Sequence, residues 1–187
     1  STSEAYGRIE SLVINAAYYP AHPKERTTGD KYNDDVFVTM MDVDINGTYY
    51  CSKCAARTMI EQKSGSIINI ASINAKVTAM HGAAYTVSKH ALAGLTKSTA
   101  VEVVQDGITA NAVCPGVTKT AMNNKRLRYD EQRTGLAFEE LEKNASPLGR
   151  RLVPDEVAAL SVFLATEGAS GINGQLLNVC GGRVLAA

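Results

Sequence analysis

Residues 66–89 read SIINIASINAKVTAMHGAAYTVSK, and this stretch decides the fold. Its first seven residues, SIINIAS, form an apolar run entered from the turn residues Ser64 and Gly65 and too short for a helix, which predicts a buried strand over 66–72. From Ala84 to Gln105 the residues Ala84, Val87, Ala91, Leu92, Leu95 and Thr99 recur at the three-and-four spacing of one helical face, and Asp106-Gly107 supplies a stop. The same alternation extends both ways. Upstream, SLVINAA (11–17) predicts a strand. The segment from about Asp42 to Gln62 predicts a helix whose apolar face is Val43, Gly47, Tyr50, Cys54, Ala55 and Met59. Downstream, ITANAVC (108–114) is a strand ending at Pro115-Gly116. A helix opens at Pro154-Asp155-Glu156 and runs to the glycines at 168 and 171, and QLLNVCGG is a last strand. Residues 123–151 are charge-rich and too long for a simple connection, the signature of a lid or binding loop. Strands alternating strictly with helices predict an α/β fold with a parallel sheet covered on both faces.

Composition agrees with one ordinary globular domain over 1–187: 19.9 kDa, 45% hydrophobic, with 19 basic and 19 acidic side chains. A formal charge of zero leaves no broad field to gather nucleic acid or anionic lipid. The opening STSEAYGRIE lacks the pattern of a signal peptide, and no apolar run reaches the roughly 18 residues of a membrane span. A cytoplasmic setting is expected, where Asn46-Gly-Thr48 and Asn144-Ala-Ser146 carry no meaning as glycosylation acceptors. The cysteines at 51, 54, 114 and 180 are too sparse for a disulfide scaffold. Cys51-Ser-Lys-Cys54 lacks a second ligand pair and reads as buried thiols, and His22, His81 and His90 form no metal spacing, so no metal is expected. His81, just ahead of a helix, could border a substrate.

In a parallel α/β sheet, function sits where strands run out at their carboxyl ends, here Asn15, Ser72, Pro115-Gly116 and Cys180-Gly181-Gly182. Ser72 closes its strand. Tyr85 opens the following helix, and Lys89, four residues on, lies one turn away on the same face. A tyrosine hydroxyl titrates near 10, and an adjacent ammonium favours its phenolate, giving a proton donor and acceptor usable near neutrality. Such a set suits a carbonyl or an alcohol.

These pieces together resemble the short-chain dehydrogenase/reductases, NAD(P)-dependent oxidoreductases, and the resemblance implies a doubly wound, Rossmann-like parallel sheet. LVINAA stands for that family's N-N-A-G strand, IINIASINA for its serine strand, AAYTVSKHAL for its Y-x-x-x-K helix and ITANAVCPGVTKTAM for its P-G segment, in the same order and spacing. The resemblance implies that Tyr85 is the general acid/base and that Ser72 orients the substrate oxygen. It implies that Lys89 lowers the tyrosine pKa and bonds the nicotinamide ribose. Asn15, Ala16, Ala17, Pro115, Gly116, Val117, Thr118 and Thr120, with Tyr85 and Lys89, would surround the nicotinamide half of NAD or NADP. The expected reaction interconverts a secondary alcohol and a ketone, with the look of 3-oxoacyl-thioester and polyketide reductases. The expected partners are a small carbonyl or alcohol substrate and a second or fourth copy of the chain. Helices 42–62 and 84–105 would associate through the small residues Ala91, Gly94, Ser98 and Ala100, which could equally pack on the sheet. Three departures stand out. The family's catalytic asparagine in V-N-x-x-G falls on Asp44 of VDING, placing a carboxylate near Tyr85 that opposes its ionisation. Ala17 replaces the glycine of N-A-G. The family's opening strand and T-G-x-x-x-G-x-G turn have no counterpart, so the chain is expected to be the C-terminal two thirds of a longer enzyme; the rival reading is a non-catalytic association module.

Overall fold

The computed structural model describes residues 6–19 and 32–185; His22 lies outside them. Four strands, β1 (Ser11–Ile14), β2 (Gly65–Ile70), β3 (Ile108–Pro115) and β4 (Leu176–Val179), form one parallel sheet in the order β1-β2-β3-β4. Register pairs Val13 with Ile68, Ile68 with Asn111, and Cys114 with Asn178. The runs IINI and ITANAVC are mostly apolar because both sheet faces are covered, and their buried Asn69 and Asn111 side chains donate to Thr96 Oγ1 and to the Ile172 carbonyl. Ile67, Ile108 and Ala110 pack against Ala55, Met59, Ala100 and Val103 on one side, while Ile68 and Val113 meet Leu164 and Ala169 on the other. The expected α/β, Rossmann-like parallel sheet is therefore present.

The helices are α1 (Asp34–Met41), α2 (Thr48–Gln62), α3 (Ala83–Val103), α4 (Ala121–Thr134), α5 (Phe138–Lys143) and α6 (Pro154–Leu164). Helical backbone begins eight residues before the expected Asp42. Asn33 caps α1 by accepting from the Val36 N–H at 3.1 Å, and Asp34 and Asp35 sit at the positive end of the helix. Between α1 and α2, Asp42–Gly47 form a π-helical segment. The wide turn adds a residue and resets the helical phase, so the expected inward stripe is wrong at three of its six positions. Ala55 and Met59 are buried as expected. Thr48 and Ser52 are buried too, whereas Val43, Tyr50 and Cys54 face outward. The reading of Cys51 and Cys54 as buried thiols is corrected accordingly, since both are exposed and only Cys114 and Cys180 are buried. On α3 the buried stripe is Ser88, Lys89, Leu92, Ala93, Thr96, Ala100 and Val103, so Val87 and Ala91 point outward against expectation. Ala100 packs on the sheet, while Ala91, Gly94 and Ser98 are exposed.

Two glycines are required by geometry. Gly107 (φ +74°) turns the chain from α3 into β3, and a Cβ there would sit 2.5 Å from the Lys63 carbonyl oxygen. Gly116, just past β3, lies so close to β4 that a Cβ would meet Cys180 Cα at 2.9 Å. Residues 123–151 are largely helical, in α4 and α5. Buried Arg151 ties them down: its guanidinium donates to Asn124 Oδ1 (2.7 Å) and Glu142 Oε1 (3.2 Å) and lies over the Phe138 ring.

Candidate active site

Each functional side chain arrives from the carboxyl end of the sheet. Ser72 stands two residues beyond β2, where its Oγ accepts from the Asn74 N–H at 3.1 Å and caps a short 3-10 turn. That cap fixes the hydroxyl just outside the strand. Tyr85 and Lys89 come from the first two turns of α3, packed against β3. The ring of Tyr85 lies 5.4 Å from Lys89 Nζ and 6.1 Å, edge-on, from the ring of Tyr19 in the segment after β1. Ser72 hydrogen-bonds the Tyr85 hydroxyl.

Behind this face sits a closed electrostatic cluster. Lys89 Nζ and Asp44 Oδ2 are 3.2 Å apart, with side-chain exposures of 2% and 0%. Asp44 also accepts from Ser88 Oγ at 3.0 Å and from the Tyr18 N–H at 2.8 Å. The Thr48 hydroxyl donates to the Asp44 carbonyl oxygen within the widened turn. Asp44 lies outside the cavity wall and meets it through its ion-pair partner Lys89, which lines the cavity. The Tyr85 hydroxyl is pushed up to about 12, chiefly because the surrounding protein desolvates its phenolate. Ser72 opposes the shift, and the Asp44 charge, Tyr19 and Cys114 add to it. Lys89, the group expected to favour the phenolate, is ion-paired with Asp44.

A cavity of about 1240 Å³ opens over these groups at the strand ends. Of the predicted residues, Asn15, Ala17, Ser72, Tyr85, Lys89, Pro115, Gly116, Val117, Thr118 and Thr120 line it, and Ala16 and Asp44 do not. Thr118 Oγ1 donates to the Gly116 carbonyl at 3.1 Å, and Thr120 caps α4 by accepting from the Asn123 N–H. His81 borders the cavity with a left-handed backbone (φ +57°), its Nδ1 2.6 Å from the Tyr129 hydroxyl. Arg126 also lines it, paired with Asp130 at 2.7 Å and hydrogen-bonded to Tyr19. Reading the sequence missed Ser88, Tyr19 and Arg126. Ser88 adjoins Lys89 within YTVSK and was open to notice, whereas Tyr19 and Arg126 meet only through tertiary structure. No group of three His, Cys, Asp or Glu able to hold a metal occurs among the described residues.

A parallel α/β sheet bearing serine, tyrosine and lysine over a cavity at its carboxyl edge places the chain among the Rossmann-like α/β proteins. Residues 1–183 match the family model described as enoyl-(acyl carrier protein) reductase. D-beta-hydroxybutyrate dehydrogenase of Cupriavidus necator is 36% identical over 183 residues, covering 96% of this chain and 69% of that protein. Among solved structures, a variant of actinorhodin polyketide ketoreductase with NADPH superposes at TM-score 0.87, with 32% identity over 96% of this chain and 69% of its own. A gluconate 5-dehydrogenase from Burkholderia cenocepacia with NADP and tartrate gives 0.85, with 30% identity, 100% of this chain and 69% of its own. The chain belongs to the short-chain dehydrogenase/reductase family, oxidoreductases that work between CH–OH and C=O groups.

Proposed function

We propose that this chain carries the proton-transfer and nicotinamide-facing half of an NAD(P)-dependent oxidoreductase that interconverts a secondary alcohol and a ketone. The observation that carries the reading is the convergence of Ser72, Tyr85 and Lys89 on one cavity, with Asn15 and the Pro115–Thr118 loop beside them. The dinucleotide half fits the donors present: Lys89 has Asp44 as its ion-pair partner and still faces the cavity, and Asn15 and Thr118 stand at the adjacent wall. When bound, the cofactor supplies or accepts a hydride. The chain's own residues handle the proton and the charge. Ser72 donates a hydrogen bond to the substrate oxygen, and Tyr85 delivers its hydroxyl proton to that oxygen as negative charge grows there, or takes it back in the reverse direction. Lys89 orients the ribose, and Pro115, Gly116, Val117 and Thr118 wall the nicotinamide pocket.

The substrate wall beyond Tyr85 includes Val77, Met122 and Leu127, which suits the apolar chain of a 3-oxoacyl thioester or polyketide. We place the protein in the cytoplasm, as one partial Rossmann domain over 1–187, and as a homo-dimer or homo-tetramer. The outward residues Ala91, Gly94, Ser98 and Val101 on α3, with Tyr49 and Tyr50 on α2, leave a face suited to self-association. No described helix is long and apolar enough to cross a membrane. A bare association module has no use for an ammonium buried against a cavity. The test is Tyr85→Phe in the protein that contains this chain. Turnover should fall at least about a hundredfold while cofactor binding persists, and residual activity above about a tenth would remove Tyr85 from the role.

A further inference from the structure

The position of Asp44 raises a question that the proton-transfer reading leaves open. A buried carboxylate beside a tyrosine that must ionise is costly, and here it is held by three donors: the Lys89 ammonium (3.2 Å), the Ser88 hydroxyl (3.0 Å) and the Tyr18 N–H (2.8 Å). Its exposure is 1%, and it does not line the cavity. No substrate atom touches it. What it changes is the charge next to Tyr85. With a neutral side chain at 44, Lys89 would stand as a net positive charge 5.4 Å from the tyrosine ring; with Asp44 the buried pair is neutral.

We infer that Asp44 is a positioning residue that claims the Lys89 ammonium and holds Tyr85 as a neutral phenol, so that the site is set for giving a proton to a carbonyl oxygen more than for taking one from an alcohol. This rests on Tyr85 being the proton-transfer group. Every element packed around the tyrosine agrees with it or is too weak to reverse it. Ser72, after β2, is the one group that favours the phenolate through a direct hydrogen bond; Tyr19 after β1 and Cys114 on β3 disfavour it. Lys76 acts on Cys114 and is itself held by the Leu176 carbonyl at 2.8 Å, and Arg126 is separated from Tyr85 by Tyr19 and neutralised by Asp130. The setting changes how rate depends on pH and leaves the ketone–alcohol equilibrium untouched. Reduction requires Tyr85 protonated and stays flat up to the tyrosine midpoint, whereas oxidation requires the phenolate and climbs until the same midpoint. Raising that midpoint widens the reductive range and pushes the oxidative plateau out of the neutral region.

The test compares the parent protein with Asp44→Asn. The amide keeps an acceptor for the Tyr18 N–H while removing the charge. In the parent, kcat/KM for ketone reduction should stay flat to about pH 10.5, and kcat/KM for alcohol oxidation should still be climbing there. In the variant both limbs should bend at one common, lower midpoint, displaced by about one to two pH units. Asp44→Ser, also uncharged, should do the same, and serves if the asparagine variant does not fold. A second arm needs no turnover: tyrosinate absorbance near 295 nm is titrated in each protein and in its Tyr85→Phe counterpart, and the difference reports Tyr85 alone. A downward displacement in that difference supports the inference even if the protein proves inactive on every substrate tried. Full activity of Tyr85→Phe would overturn the reading of the site and with it the directional half of the inference. Midpoints that agree within about 0.3 pH units between parent and both variants, by either arm, would overturn the role of Asp44 itself.

Discussion

The Lys89–Asp44 pair makes a prediction about stability that needs neither substrate nor cofactor. Lys89→Met keeps most of the side-chain length and volume, removes the ammonium, and leaves the Asp44 carboxylate buried with only the Ser88 hydroxyl and the Tyr18 N–H as partners. With its side chain fully buried, the carboxylate left behind has no bulk water to fall back on. Removing one member of such a pair costs about 3 to 5 kcal/mol, because the other is left uncompensated. That is a large share of the ~5 to 15 kcal/mol that holds a typical domain together. At roughly 2 to 4 °C per kcal/mol for a chain of this size, Lys89→Met should lower Tm by about 6 to 20 °C. Asp44→Asn should cost less, because the freed ammonium borders the cavity and can recruit solvent there, whereas Asp44 is sealed. The decisive protein is the double variant, Lys89→Met with Asp44→Asn, which removes both charges. It should recover most of the loss and unfold well above Lys89→Met alone. Thermal and urea unfolding of the four proteins at pH 7, without cofactor, closes the cycle. A double variant whose loss equals the sum of the single losses within about 0.5 kcal/mol would show that the two groups do not interact, and the account of the buried cluster would be wrong.

Gly116→Ala should lower cofactor affinity at least about tenfold by isothermal calorimetry, because the new Cβ would have to displace the Cys180 backbone 2.9 Å away and drag the Pro115–Thr118 loop with it; unchanged affinity would clear that loop of a cofactor role. The Glu156 carboxyl, held down to about 2 by Arg150 and by the Val153 N–H, contributes stability that is present above its ordinary range near 4.5 and lost as pH falls through about 2. Glu156→Gln, which keeps an acceptor for Val153, should therefore unfold at a lower temperature than the parent at pH 7, with the gap closing below about pH 2; a gap that persists there would assign the effect to something other than charge. Light scattering of the intact protein at micromolar concentration should give the mass of a dimer or tetramer, and a single-subunit mass would refute self-association through α2 and α3.

How much of this was legible in the sequence depended on whether periodicity survived in it. The strands at Ser11, Gly65, Ile108 and Leu176 announced themselves as short apolar runs bounded by turn residues, and α3 ended at Gly107 as the Asp106-Gly107 pair required. Of the helical stretch from Asp34 to Gln62 the first eight residues were missed and the inward face of the rest was misread in part, because its π turn breaks the spacing on which such readings depend. Once the phase slips, Tyr50 and Cys54 look internal and Thr48 and Ser52 look external, which is the reverse of what the structure shows. The error on α3 has another source. Apolar residues also stand on the outward side of α3, so Val87 and Ala91 fit an inward stripe while facing out. The site itself was legible to the extent that its members are close in sequence: Ser72, Tyr85 and Lys89 lie within one strand–helix unit. Tyr19 and Arg126 reach the site from distant segments, and nothing local marks them.

The π turn and the carboxylate at 44 belong to one arrangement. In an unbroken α-helix each residue advances about 100° around the axis, so a single inserted residue swings everything after it by nearly a third of a turn. The insertion falls over DVDING, where the Thr48 hydroxyl bonds back to the Asp44 carbonyl and Asp44 turns toward α3. That orientation lets one oxygen of Asp44 take the Tyr18 N–H from the segment after β1 while the other takes Ser88 and Lys89 from α3. Three segments distant in sequence are thereby tied at a single buried side chain directly behind Lys89 and Tyr85. The acidic residue cannot be a passive substitution at a surface position. Its charge is matched by Lys89, its geometry by the widened turn, and its burial by the packing of α3 on the sheet, so a change at any one of these contacts should be felt at Tyr85.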